Sequence, residues 1–196
     1  MITGSSLAAL LAVVVVAFFC VDFYFMLRYD RDRKSGKGWS WDYTLLVLGL
    51  GLAIVLQPIF LPSIGLVTAQ SWGLAIQVVG MALIVLSFAI HIWSRLHLQK
   101  FYAERVEVQS DHQVVDTGPY SLVRHPLVTS FFMLGTGIFL LAPAMTTLVA
   151  MAYVYWDFSR AARQEEELLS KSLPGYKKYM KSVPKFLPTL RKRNLK

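Results

Sequence analysis

All four histidines of the chain fall between His91 and His125, and the same window carries Glu104, Glu107, Asp111 and Asp116. It closes with GPYSLVRHPLV, Gly118 to Val128, which sets an arginine, a histidine and a proline against the start of a long apolar run. A second charged cluster, RQEEELL from Arg163 to Leu169, follows that run. Arg124 can grip a carboxylate or phosphate in bidentate geometry, and Glu166 or Glu167 can pair with an ammonium or accept from a sugar hydroxyl. Tyr120 offers an electron-rich ring to a cationic centre. Together these groups suit a ligand that carries both charge signs. Plainer readings stand beside this one. Arg124 and His125 also fit as interfacial anchors, the three glutamates as a solvated helical face, and His91 and His97 as interfacial or hydrogen-bonded core histidines.

Some chemistry is excluded at once. His112, His125 and the glutamates lack any standard ligand spacing, so no metal is expected. The single cysteine, Cys20, rules out an internal disulfide and a paired-cysteine metal site. The sequence has no phosphate loop, no dinucleotide fingerprint and no internal repeat, and no nucleic-acid partner is expected.

The elements that must position these residues are membrane elements. Of the 196 residues, 55% are hydrophobic and 16% charged, outside the range of an ordinary soluble domain. Apolar runs cover Ser5 to Leu27, Tyr43 to Leu61, Trp72 to Trp93 and Pro126 to Phe158. A spanning helix needs ~20 residues, so the last run is too long for one. It is broken at LAPAMT, where Pro143 cannot donate a backbone hydrogen bond, giving a hairpin with arms Leu127 to Leu141 and Met145 to Arg160. The prediction is an all-α polytopic protein of five transmembrane helices, with helices four and five as the hairpin. The first run lacks a basic leader and a cleavage site, and reads as a retained helix.

Charge fixes the orientation. Arg28, Arg31, Arg33, Lys34 and Lys37 lie between helices one and two; Arg95, Lys100, Arg105 and Arg124 lie between three and four; the rest follow helix five. Basic residues gather on the cytoplasmic side, which predicts the N-terminus out and the C-terminus in. The net charge of +8 then faces anionic membrane lipids, with KSVPKFLPTLRKRNLK as a basic, amphipathic surface tail. Trp39, Trp41, Trp72, Trp93 and Trp156 sit near helix ends, as interfacial anchors do. The hairpin returns its second arm to the face from which the first departs, so RQEEELL can approach GPYSLVRHPLV. With no linker in sight, residues 1–196 read as one domain, with a three-helix membrane part (1–93) and a part (94–196) that holds the hairpin, the charged motifs and the tail.

Three motifs in order, HQVVDTGPYSLVRHPLV, RQEEELL and PGYKKYMKSVPKFLP, resemble the isoprenylcysteine carboxyl methyltransferase and phospholipid methyltransferase group of integral membrane enzymes. The resemblance covers roughly the last 85 residues. It implies methyl transfer from S-adenosylmethionine to a lipid, prenyl or other hydrophobic acceptor, with the cofactor bound on the cytoplasmic side. By position it implies that His112, Gln113, Val114 and Val115 contact the adenosyl portion, largely through backbone. Tyr120, His125, Pro126, Leu127 and Val128 would line the cofactor, and Arg124 would hold or organise the site. Glu167, assisted by Glu166, would close it, while Arg163, on the same helical face as Glu167, would orient substrate. Catalysis would thus rest on Arg163 and Glu167.

Two departures stand out. Relatives commonly carry tyrosine where this chain has Val128, and LHLQKFYAERVEV replaces a segment that often holds glycine and tryptophan. Two other readings share parts of the pattern: an NADPH-dependent membrane reductase of the sterol type, and a non-catalytic membrane scaffold with the same fold. RQEEELL favours the methyltransferase.

Overall fold

The structure, a computed structural model, describes residues 4–29, 41–60, 69–98 and 114–188. All regular structure among them is helical: α1 (Gly4–Tyr29), α2 (Trp41–Phe60), α3 (Ala69–Leu98), a 3₁₀ turn (Gly118–Ser121), α4 (Pro126–Leu141), α5 (Met145–Ser172) and α6 (Tyr176–Ser182). The five long helices begin and end near the expected positions. The exception is α5, which runs past Arg160 and carries RQEEELL as continuous helix. Two of the helices, Gly4–Tyr29 and Gly73–Leu98, are long and apolar enough to cross a membrane; Leu48–Phe60 and Pro126–Leu141 are shorter apolar stretches. With 16 residues, α4 rises about 24 Å, short of a ~30 Å hydrocarbon core.

The contacts divide the chain into two compact units. The first comprises Met1–Leu86 and Met133–Tyr153. Here α1 packs on α2, burying Leu7, Leu11, Val14 and Phe18, which recur at helical spacing, and leaving Val13, Val16, Phe23 and Leu27 exposed. Such an apolar outer face suits hydrocarbon better than water. The hairpin turn belongs to this unit, and two buried glutamines close it. Gln57 donates from Nε2 to the Ala142 carbonyl at 3.2 Å and accepts on Oε1 from Thr146 (2.5 Å) and Thr147 (2.8 Å). Gln77 donates to the Leu141 carbonyl at 3.3 Å. These bonds serve carbonyls that the end of α4 leaves without helical partners. Pro143 makes the break, and the glutamines make it tight.

The backbones of α3 and α4 meet at a pair of glycines. A Cβ on Gly137 would lie 2.7 Å from both the Gly80 carbonyl and Ile84 Cγ1, and one on Gly80 would lie 2.8 Å from the Gly137 carbonyl. Gly137→Val is therefore expected to force the helices apart, at a cost of ~1–3 kcal/mol, seen as a lower melting temperature in detergent.

The second unit comprises Ser87–Phe132 and Val154–Lys196. Its described core joins the end of α3, the start of α4, the latter part of α5, and α6. Ser87 donates to the Ser130 carbonyl at 3.0 Å, and His91 lies with Nδ1 3.3 Å from Ser130 Oγ. Phe131 bridges the edge of His91 to Phe158. Leu169, Tyr176, Tyr179 and Val183 form an apolar cluster against which Val114, Leu173 and Met180 pack. This unit holds the charged motifs.

Candidate functional site

The GPYS turn is shaped by glycine and proline. Gly118 has φ 55°, a left-handed conformation that side chains disfavour. A Cβ there would also collide with the His97 ring. The turn is closed by Tyr120 N–H to the Thr117 carbonyl (3.1 Å) and by Ser121 Oγ to the Gly118 carbonyl (2.7 Å). His97 lies 3.0 Å through Nδ1 from the Trp93 carbonyl, one turn back on α3. The histidine read as an interfacial residue thus packs on the motif.

Pro126 is buried as the first residue of α4, where its missing N–H costs nothing. The His125 carbonyl accepts from Thr129 N–H at 3.1 Å, which makes His125 the residue that caps the helix. Arg124 and His125 are consequently presented at the helix entrance, as their sequence suggests.

Both side chains converge on Glu166. Arg124 Nε donates to Glu166 Oε1 at 2.9 Å, and His125 Nε2 lies 2.9 Å from the same oxygen. Lys185 Nζ donates to Oε2 at 3.2 Å, so three basic side chains surround one buried carboxylate. Arg124 Nη1 also donates to the carbonyls of Met180 (2.8 Å) and Val183 (2.5 Å). The backbone follows: Arg124 N–H bonds to the Pro184 carbonyl at 2.8 Å and His125 N–H to the Lys185 carbonyl at 3.1 Å. Thr129 Oγ1 donates to the Phe186 carbonyl at 2.7 Å, and the Phe186 ring packs on His125 and Phe132. Tyr179 donates to the Tyr120 carbonyl at 2.7 Å. The segment Val183–Phe186 is therefore strapped across the entrance of α4. The basic-tail reading missed this; the only signal was PKFLP, a proline-bounded stretch that cannot continue α6.

Two neighbouring carboxyls are tuned in opposite directions. Burial pushes Glu166 up, but hydrogen bonds from His125 and Arg124, with their charges, outweigh it and hold Glu166 at about 2. Glu165 lies with Oε2 3.6 Å from His125 Nδ1. Its side chain is 47% exposed, and partial desolvation raises its pKa against the pull of His125 and Lys185.

The signs give distinct pH dependences. Glu166, depressed, stabilises the fold above the usual carboxylate value of 4.5, and that contribution is lost as pH falls toward about 2. Glu165, raised, contributes below 4.5, and that contribution is lost as pH rises through its own higher value. Glu165→Gln is therefore expected to raise the melting temperature at neutral pH and leave the acid limb in place. Thermal melts across roughly pH 2 to 8 check this; an acid limb that disappears in Glu165→Gln would assign the depressed carboxyl to the wrong residue.

The remaining expected site residues divide clearly. Val114 and Val115 are half-buried, Val114 against the α6 cluster; Leu127 and Val128 are half-buried in the first turn of α4. His112 and Gln113 lie outside the described residues. Glu167 is exposed and bonds at 2.6 Å to Lys171, itself exposed. Arg163 is exposed as well. Helical phase explains the division: Ser159, Ala162, Glu166 and Leu169 form the buried stripe of α5, and a step of one residue turns Glu167 out of it. The cluster is thus closed by Glu166, and Arg163 and Glu167 do not join it. Among the described residues, no group of three or more potential metal ligands occurs.

The fold matches that of a solved eukaryotic intramembrane Ras methyltransferase, isoprenylcysteine carboxyl methyltransferase, with a TM-score of 0.65 and 20% identity over 89% of this chain and 63% of that one. The likeness is one of fold. Residues 78–171 match the sequence model of the isoprenylcysteine carboxyl methyltransferase (ICMT) family. Curated relatives include protein-S-isoprenylcysteine O-methyltransferase of Schizosaccharomyces pombe, 32% identical over 41% of this chain and 35% of that protein. A nickel-cobalt-cadmium resistance protein, NccN, of Alcaligenes xylosoxydans xylosoxydans is 27% identical over 59% of this chain and 51% of its own length. The cobalt-zinc-cadmium resistance protein CzcN of Cupriavidus metallidurans is 27% identical over 57% and 48%. The chain thus spans about half or less of the length of these relatives.

Proposed function

We propose that this chain transfers a methyl group from S-adenosylmethionine to a hydrophobic acceptor at the membrane interface, the acceptor being of the isoprenylcysteine type. The observation that carries the reading is the convergence of Arg124 and His125 on Glu166, within the segment that matches the family. The residues fit the cofactor. Glu165, Glu166, His125, Arg124 and Lys185 bring both charge signs into one cluster, and the Phe186 ring adds apolar surface beside His125. Val114, Val115, His125 and Glu165 would hold the cofactor, with His112 and Gln113 next along the chain. When bound it supplies an activated, electrophilic methyl group.

The protein's part is positioning, which supplies much of the rate of such a transfer. Glu166 fixes the His125 ring through Nε2 and turns Nδ1 toward Glu165. Arg124 holds the Val183–Phe186 strap against the entrance of α4 and thereby fixes the wall of the site. A carboxylate acceptor needs no general base; an amine acceptor, as on a phospholipid headgroup, needs one, and His125 and Glu165 are the nearest groups for it. Under this reading the five long helices cross the membrane with the N-terminus out and the C-terminus in, and residues 1–196 act as one unit whose cofactor site faces the cytoplasm.

Purified protein incubated with methyl-labelled S-adenosylmethionine and either an N-acetylated S-farnesylcysteine or a phospholipid extract tests the proposal. Label in the farnesylcysteine product supports it, and label in phospholipid alone would replace the acceptor. Transfer to neither, with binding of NADPH instead, would sink the methyltransferase reading.

A further inference from the structure

The Val183–Phe186 strap ends on an apolar side chain that the protein leaves uncovered. Leu187, next along the chain and followed by Pro188, is 74% exposed. A single exposed leucine is ordinary, but this one continues a row of rings. Phe186 meets Phe132 with ring centroids 5.6 Å apart, and Phe132 meets Tyr155 at 5.3 Å. Tyr155 is itself 58% exposed on α5. The row thus runs from the strap, over the second turn of α4, to the outer face of α5.

Its borders are basic. Lys185 Nζ lies 5.4 Å from the centre of the Phe186 ring, and the Arg160 guanidinium lies 5.8 Å from that of the exposed Trp156. Rings with cations at their edge suit a bilayer surface, where the ring enters the headgroup region and the charge stays beside the phosphates. A contiguous apolar strip with a polar rim marks an interaction surface. Tyr155 precedes Arg160 by five residues, about 8 Å along α5, within the ~5–10 Å to which interfacial apolar faces sink. After Glu167 the sequence has nine lysines and arginines and no acidic residue, so lipid phosphates meet no fixed negative charge from that part of the chain. The outer face of α6 is different in kind: Tyr176 and Tyr179 are buried, and Lys177, Lys178, Lys181 and Ser182 are exposed, which leaves nothing apolar to insert.

We propose that the tip of the strap, Leu187 with Phe186, is seated in the headgroup and upper acyl region of the bilayer, while α6 stays in water. One wall of the candidate site is then held between the entrance of α4 and lipid. The proposal rests on the reading that α4 and α5 cross the membrane, and it divides the basic tail into a wet helix and an inserted tip.

Fluorescence quenching tests it in the full chain, reconstituted in bilayers of equal parts phosphatidylcholine and phosphatidylglycerol that carry a nitroxide near the top of the acyl chain. On a Cys20→Ser background, a polarity-sensitive fluorophore is attached at Leu187→Cys, at Lys178→Cys, and at Val149→Cys, which is exposed in the apolar half of α5. Blue-shifted emission is expected at Leu187→Cys and Val149→Cys, with quenching at Leu187→Cys roughly threefold or more above that at Lys178→Cys. Equal quenching at Leu187→Cys and Lys178→Cys would overturn the proposal. Emission typical of water at Leu187→Cys, with Val149→Cys blue-shifted, would overturn it and leave the spanning helices standing. Emission typical of water at both would overturn the proposal and the spanning reading together. Quenching at Leu187→Cys with emission typical of water at Val149→Cys would keep the seated tip and sink the spanning reading.

Discussion

Glu166→Gln is expected to abolish methyl transfer and to lower stability by about 3 kcal/mol, the scale for breaking a buried ion pair from one side. The amide keeps the shape of the carboxyl but not its charge, and leaves Arg124, His125 and Lys185 around a neutral group. Its NH₂ also presents donors to side chains that donate themselves. The acid limb of the pH–stability curve, from 4.5 down toward about 2, should vanish with the charge. Glu167→Gln is the matched control: it removes only an exposed pair with Lys171, which water and salt screen. Melting curves and initial rates on the two variants decide between them. Equal losses in both would mean that the buried stripe of α5 is misassigned.

The second large effect is at Arg124. Its guanidinium serves Glu166 Oε1 and the carbonyls of Met180 and Val183 at once. Lysine carries the charge but lacks the planar fork, and its single ammonium is poorly shaped to reach three acceptors held in place by different elements. Arg124→Lys is therefore expected to lose roughly 2 kcal/mol, the scale of a charge-assisted hydrogen bond with its buried acceptor left unmet. It should also loosen Val183–Phe186 from α4. Limited proteolysis reads this directly. Cleavage after Lys185 should become several-fold faster in Arg124→Lys than in the unmutated protein, whereas equal rates would show that the strap is held by its backbone bonds and Thr129 alone.

The course of the helices was legible because it depends on features that local sequence carries. Pro143 marks the break after α4, Pro126 starts it, and long apolar runs mark the rest. The approach of RQEEELL to Arg124 followed from the hairpin alone. What sequence left open was phase. Glu165, Glu166 and Glu167 are chemically alike, and only the packing of α5 selects Glu166 for the interior. The resemblance pointed to Glu167 and to Arg163, on one helical face; both are exposed. Long-range partners were equally hidden. Gln57 and Gln77 look like stray polar residues in apolar helices until the hairpin carbonyls they serve are in view. Lys185 and Phe186 read as part of a basic tail because nothing local says that an extended segment will lie across a helix entrance. His97 gave no signal beyond its type, and its place against Gly118 is a property of the turn.

The central claim is that the cluster built on Glu166 organises a site for the methyl-donor cofactor. Titration of S-adenosylhomocysteine into the unmutated protein, Glu166→Gln and Glu167→Gln tests it most directly. The account expects saturable binding by the unmutated protein, the same affinity within about twofold in Glu167→Gln, and at least a tenfold loss in Glu166→Gln, equivalent to ~1.4 kcal/mol or more. Absence of binding by the unmutated protein, or a loss in Glu167→Gln with Glu166→Gln unaffected, would contradict it.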